Sequence, residues 1–353
     1  MEKGAVSLNI QSERCSWLDL AKGIAIVLVV LGHSLQKDMR IEYGAINVLH
    51  QFIYSFHMQL FMFLSGVAHA IRIEQGKSVD FKYKIKKQLI PWGYYSLLIY
   101  VCIGCVAFLV RNSERVISFE KVTFSEYFLR CIAGNNPYVV HTWFLLALFL
   151  ICVLFDGISK LSGQDARWLQ LVAGVCFLII RIMLMMYTSP WLDQLKRILQ
   201  YYIFFAVGDY LPQAKESNRL RWIRSAFFGT MFTVIACVFL KNKMVTFAVR
   251  QIGAVFIIQS IVLGAQDACK KKQGEIWCRL GRHSYQVYLL HHPWCSVILG
   301  KALYSVLSWN IFAVILICAA SSIILPLLFV KRIQYCGILK LVLKPLGLVK
   351  ENE

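Results

Sequence analysis

Trp17-Leu-Asp19-Leu-Ala-Lys22-Gly23-Ile-Ala-Ile-Val-Leu-Val-Val-Leu-Gly32-His33-Ser-Leu35 is the stretch that decides the fold. It is long and apolar enough to cross a bilayer as a helix. Yet it carries Asp19, Lys22 and His33. Ionisable groups at membrane depth are costly, so they usually face an interior cavity and serve a function there. Lys22 and His33 are about three helical turns apart and share one face, separated by about 16 Å along the axis. That face offers a cation near one membrane surface and an imidazole towards the other.

The rest of the chain agrees with this start. Of its 353 residues, 58% are hydrophobic and only 16% charged, with a mean hydropathy of +0.59. A soluble chain carries about a quarter charged residues. The expected fold class is therefore all-α: a polytopic membrane helix bundle. A formal charge of +19 suggests nucleic acid in a soluble protein. Here the positive-inside rule accounts for most of it, leaving room for an anionic substrate on the basic side, and no nucleic-acid partner is expected. Most of the twelve cysteines lie in apolar runs and read as small buried hydrophobes. Cys102-x-x-Cys105 lacks a second pair at ligand spacing, so no metal is expected. The polar first sixteen residues do not read as a cleavable signal peptide.

About ten spans are expected, near 17–35, 46–69, 88–110, 141–158, 168–187, 195–211, 222–240, 246–266, 283–301 and 309–330. With the N-terminus inside, the inner segments hold roughly 24 Lys and Arg and the outer loops about 11. Both termini are then cytoplasmic, in a multi-pass protein of the cell (inner) membrane. Residues 1–353 read as one domain, with a short basic tail, 331–353, on the inner surface. The longest outer segment, Arg111 to Val140, holds the turn signal Asn135-Asn136-Pro137 just before His141-Thr142-Trp143. It reads either as cover for an external acceptor site or as a connector.

Several spans carry polar groups. His33 can act as a general base near neutral pH, or can simply be hydrogen-bonded within the bundle. Span two carries His57, Gln59 and Ser65. In span nine, Ser284, Tyr288 and His291 follow an i, i+4, i+7 pattern on one face, and Pro293 favours a kinked, cavity-lining helix. Arg181 reads as a possible cavity residue and Arg250 as a snorkelling one. Trp143, Trp168, Trp191, Trp222 and Trp309 lie near span ends and read as interfacial anchors. Two functions fit such a set: an enzyme whose donor and acceptor meet in the bilayer, or a proton-coupled transporter or flippase of a lipid-linked sugar. Intramembrane carboxylates are scarce and no inverted repeat is evident, which favours the enzyme.

Trp17-Leu-Asp19-x-x-Lys22-Gly23-Ile-Ala-Ile-x-Leu-Val-Val-x-Gly32-His33 resembles the opening helix of the acyltransferase-3 family of integral membrane acyltransferases. Phe56-His57-Met58-x-Leu60-Phe61-Met62-Phe63-Leu64-Ser65-Gly66 resembles its second signature. Leu89-Ile90-Pro91-Trp92, Thr142-Trp143-Phe144-Leu145 and Leu280-Gly281-Arg282-x-Ser284-x-x-x-Tyr288-Leu-Leu-His291 follow in the family's order. The chain departs from the pattern at Lys22, often Arg in the family, and at Gln59, often Pro.

The resemblance implies a ten-helix bundle that moves an acyl group, commonly acetyl, from acyl-CoA to a sugar hydroxyl. The implied donor is acetyl-CoA. The implied acceptor is a carbohydrate, lipid-linked or polymeric, and a homodimer stays open. Arg14, Lys22, Lys86 and Lys87 are then expected to neutralise the donor's phosphates. His33 is the expected base, acting directly or through an acyl-histidine. His57, Tyr288 or His291 would orient it or stabilise the oxyanion. Gly23, Gly32 and Gly66 are expected to allow close helix approach.

Overall fold

A computed structural model describes residues 2–109, 123–162, 166–210, 219–333 and 335–348, with the side chains of the first helix described from Trp17 onward. Every regular element among them is helical. The first helix, α1 (Glu2–Ser34), is the hub. Around it pack α4 (His57–Glu74), α12 (Lys243–Lys270), α13 (Glu275–Arg282), α14 (Ser284–Leu290) and α16 (Ile311–Ile333). A second group, α8 (Trp143–Ser162), α9 (Ala166–Met183) and α10 (Pro190–Tyr210), joins the hub through α4, while α11 (Arg219–Val238) lies along α12.

Small residues set the closest approaches. A Cβ on Gly23 would meet the Trp277 carbonyl, and one on Gly281 would meet the Asp19 carbonyl. The backbones of α1 and α13 are therefore in van der Waals contact, as small residues allow between membrane helices. Gly66 and Gly208 do the same between α4 and α10. Leu20, Ala21, Ala25, Ile26, Val29 and Val30 fill the rest of the α1 interface.

Among the described residues, six helical stretches are long and apolar enough to cross a membrane: Trp17–Ser34, Phe81–Cys105, Val140–Leu161, Arg167–Met186, Lys243–Lys270 and Ile311–Ile333. The expected spans six and seven are the continuous helices α10 and α11. Spans two and nine are not continuous. Span two divides into α3 (Gly44–Tyr54) and α4, with Ser55 and Phe56 between them. No proline makes this break. Ser55 Oγ donates to the Gln51 carbonyl at 2.7 Å, and Gln59 Nε2 donates to the Ser55 carbonyl at 2.8 Å. Side chains thus take over backbone acceptors where the helix turns. Span nine stops at Leu290, and a π-helical turn, Trp294–Ile298, follows Pro293. Tyr95, on α6 (Ile90–Leu109), donates to the His292 carbonyl at 2.6 Å.

Three expectations need correction. The tail does not simply lie on a surface: α17 (Gly337–Leu343) leads Leu343, Leu346 and Leu348 into buried positions, and Tyr285 Oη donates to the Leu346 carbonyl at 3.0 Å. Arg250 does not snorkel but donates to Gln51 Oε1 at 2.7 Å, because the polar break in span two offers it an acceptor. Trp143 is not an interfacial anchor: it stacks on Tyr201 and lies under the Arg197 guanidinium.

Candidate active site

Four imidazoles converge at the far end of α1. The His33 ring centre lies 5.2 Å from that of His291 and 5.5 Å from that of His292. His141 lies 5.3 Å from His291 and 5.0 Å from His292. His33 is partly exposed; His141, His291 and His292 are buried. His57 joins them through Tyr54, whose ring is 4.6 Å from His57 and 6.2 Å from His33.

Three segments hold the four rings. Helix α1 is tied at its exit: Ser34 Oγ donates to the Val30 carbonyl, and Gln36 Nε2 donates to the Ser296 carbonyl at 3.0 Å. This fixes the end of α1 against the start of the π-turn. The broken end of α14 presents His291 and His292, with His291 Nδ1 2.8 Å from the Tyr288 carbonyl. His141 arrives from a single 3₁₀ turn, Val140–Thr142, that leads into α8. Before it, α7 (Phe124–Ala133) closes at Gly134, whose carbonyl accepts from Arg197 at 2.6 Å. The described part of the long outer segment, from residue 123 onward, is thus folded against α10 and α8, and residues 111–122 lie outside the described residues.

Three buried nitrogens in this cluster, His141 Nδ1, His291 Nε2 and His292 Nδ1, have no protein partner. Buried polar atoms are normally satisfied, so a group of orphans marks a place where another polar group or water belongs. The arrangement suits proton transfer to and from a bound hydroxyl.

A cavity of about 700 Å³ opens at the other end of the apolar part of α1, Trp17–Ser34. Lys22, Lys87 and Arg282 line it against one carboxylate, Asp19. Arg282 Nη1 lies 3.9 Å from Asp19 Oδ2. Ser284 and Tyr288 also line the cavity, as their common helix face requires. Its inner end is Phe61, Phe144 and Tyr288, whose rings are 6.0 and 5.6 Å apart in sequence. None of the four clustered histidines lines the cavity. An aromatic layer therefore separates the basic chamber from the imidazoles. Tyr288 belongs to both sides, since its hydroxyl donates to the His141 carbonyl at 2.7 Å.

Lys22 and Tyr288 thus line the chamber, while His33, His57 and His291 lie beyond the aromatic layer. Lys87 reaches the cavity from a π-helical turn, Ile85–Leu89, while Lys86 on the same turn is exposed and off the wall. The side chain of Arg14 lies outside the described residues. Sequence reasoning missed His141, His292 and Arg282 as site residues. His141 and Arg282 stood inside quoted stretches, His141-Thr142-Trp143 and Leu280-Gly281-Arg282, without a role, and His292 directly follows His291.

Comparison with known proteins adds a family. Residues 16–331 match the family model described as an acyltransferase domain. The nodulation protein NolL of Sinorhizobium fredii is 25% identical over 266 residues, which cover 74% of this chain and 66% of that relative. The match thus takes in just under two thirds of the relative's length. No solved structure matches.

Proposed function

The chain belongs to the acyltransferase-3 family of membrane acyltransferases, and from that premise we propose an O-acetyltransferase that moves acetyl from acetyl-CoA to a hydroxyl of a cell-surface sugar. The observation that carries this reading is the pairing of two sites along α1. A basic chamber suited to an anionic donor lies at the Lys22 end, and a cluster of imidazoles with unpartnered nitrogens lies at the His33 end. In this reading the Lys22 end faces the cytoplasm of a ten-span protein in the cell membrane.

The donor's phosphates meet Lys22, Lys87 and Arg282, and its pantetheine arm runs inward past Tyr288. His33 takes the proton of the acceptor hydroxyl as that oxygen bonds to the thioester carbonyl carbon. The carbon–sulfur bond then breaks, and the thiolate of CoA leaves with the proton held by the imidazolium. His291 Nδ1 and His141 Nε2 face backbone carbonyls, so their unpartnered nitrogens are the acceptors of neutral rings and serve to orient the incoming hydroxyl. Tyr288 acts as a positioning residue, because its hydroxyl proton is already given to the His141 carbonyl.

The test uses the full chain in vesicles, with labelled acetyl-CoA on the Lys22 side and a panel of sugar acceptors. Acceptor-dependent release of CoA, lost in His33→Ala, is the expected result. An unchanged rate in that variant removes His33 as base. Absence of acetyl-CoA binding to the wild type overturns the reading itself.

A further inference from the structure

At the mouth of the basic chamber stands Tyr83, part of the cavity wall. The guanidinium of Arg72 lies 3.9 Å from its ring centre, and Arg72 is not part of that wall. One face of the ring is therefore covered by a cation, and Tyr83 is also part of the chamber wall. We propose that Tyr83 is a stacking platform for the adenine of the donor's 3′-phospho-ADP group, with Lys87 and Arg282 taking its phosphates. The inference rests on the acyl-CoA reading above.

The platform is built rather than incidental. The Tyr83 backbone N–H donates to Asp80 Oδ1 at 2.8 Å, which caps the short helix α5 (Phe81–Lys84). Arg72 is held in place by its Nε, which donates to the Ser78 carbonyl at 2.7 Å. The next residue, Lys84, is only 2% exposed; it is ion-paired with Asp156 and donates to the Cys152 carbonyl at 3.4 Å. This buried anchor fixes α5 against α8. The π-helical turn then brings Lys87 and Gln88 onto the same wall as Tyr83.

The chemistry of the wall selects the ligand class. A flat aromatic face accepts any nucleobase, and a guanidinium behind the ring adds a cation–π contact of its own. Cations beside the ring favour phosphates attached to that base. An anionic lipid headgroup would satisfy Lys87 and Arg282 but would leave the ring face without a planar partner.

The two halves of CoA separate the possibilities. Binding of acetyl-CoA, adenosine 3′,5′-bisphosphate and 4′-phosphopantetheine is measured on the full-length protein in nanodiscs, for wild type, Tyr83→Leu, Tyr83→Phe and Arg72→Gln. Tyr83→Leu is expected to weaken the bisphosphate by about 10-fold or more, Tyr83→Phe by less than about twofold. Phosphopantetheine affinity stays unchanged in all variants, which also reports an intact chamber. Should Tyr83→Leu not fold, Arg72→Gln carries the test, with an expected loss of about threefold. Unchanged bisphosphate affinity in the folded variants overturns the platform while leaving the acyl-CoA reading in place. Failure of acetyl-CoA to bind the wild type overturns both.

Discussion

The two ends of α1 are built on opposite principles. At the His33 end, imidazoles are packed on one another, tied to backbone carbonyls, and left with nitrogens that the protein does not satisfy. At the Lys22 end, charged side chains stand around an open chamber, and Arg282 is largely exposed. Buried polar groups are costly to disturb and sensitive to small displacements. Exposed cations are screened and contribute little one at a time. On the proposed function, the chemical step belongs to one end and attraction of the donor to the other, and substitutions should separate along the same line.

The largest effect is expected for His33→Ala, with turnover reduced by about 10²- to 10⁴-fold and an unchanged elution volume in size-exclusion chromatography. Retention of activity within tenfold would move the base elsewhere in the cluster. Tyr288→Phe comes next. It strips the buried His141 carbonyl of its donor, a loss of about 1–3 kcal/mol. Thermal unfolding and kcat should both fall; an effect confined to donor KM would place Tyr288 with the chamber instead.

Lys22→Ala should raise donor KM by about tenfold while kcat stays within twofold. A kcat loss as deep as that of His33→Ala would erase the division between the ends. Raising ionic strength should mimic a weak form of the same change, with KM rising as charges are screened and kcat unaffected. The smallest effect is expected for Lys86→Ala. Its side chain lies off the cavity wall, one position before Lys87, and its kinetics should stay within about twofold of wild type. An equal response of Lys86→Ala and Lys87→Ala would show that total charge, not the wall, governs the donor.

The readable part of the site was the part set by helical period. Lys22 and His33 at opposite ends of one face, and Ser284 and Tyr288 on one stripe, follow from spacing alone. Gly23 and Gly66 were legible too, because only small residues permit backbone contact between helices. The break in span two was hidden. Gln59 stands where a proline would have signalled it, and the turn depends on Ser55 and Gln59 choosing backbone acceptors. Arg250 was misread for a related reason: its acceptor, Gln51, lies far away in the chain and is offered by that same break.

The sequence by itself determined a helical membrane bundle with a charged and an imidazole end on its first helix, because hydropathy and period act over one element at a time. Only the tertiary structure decided that His141 and His292 join His33 and His291, and that Phe61, Phe144 and Tyr288 divide cluster from chamber. These groups come from separate segments, distant from one another in the chain. What brings them together is helix packing and hydrogen bonds at broken helix ends, and neither leaves a periodic trace in the chain.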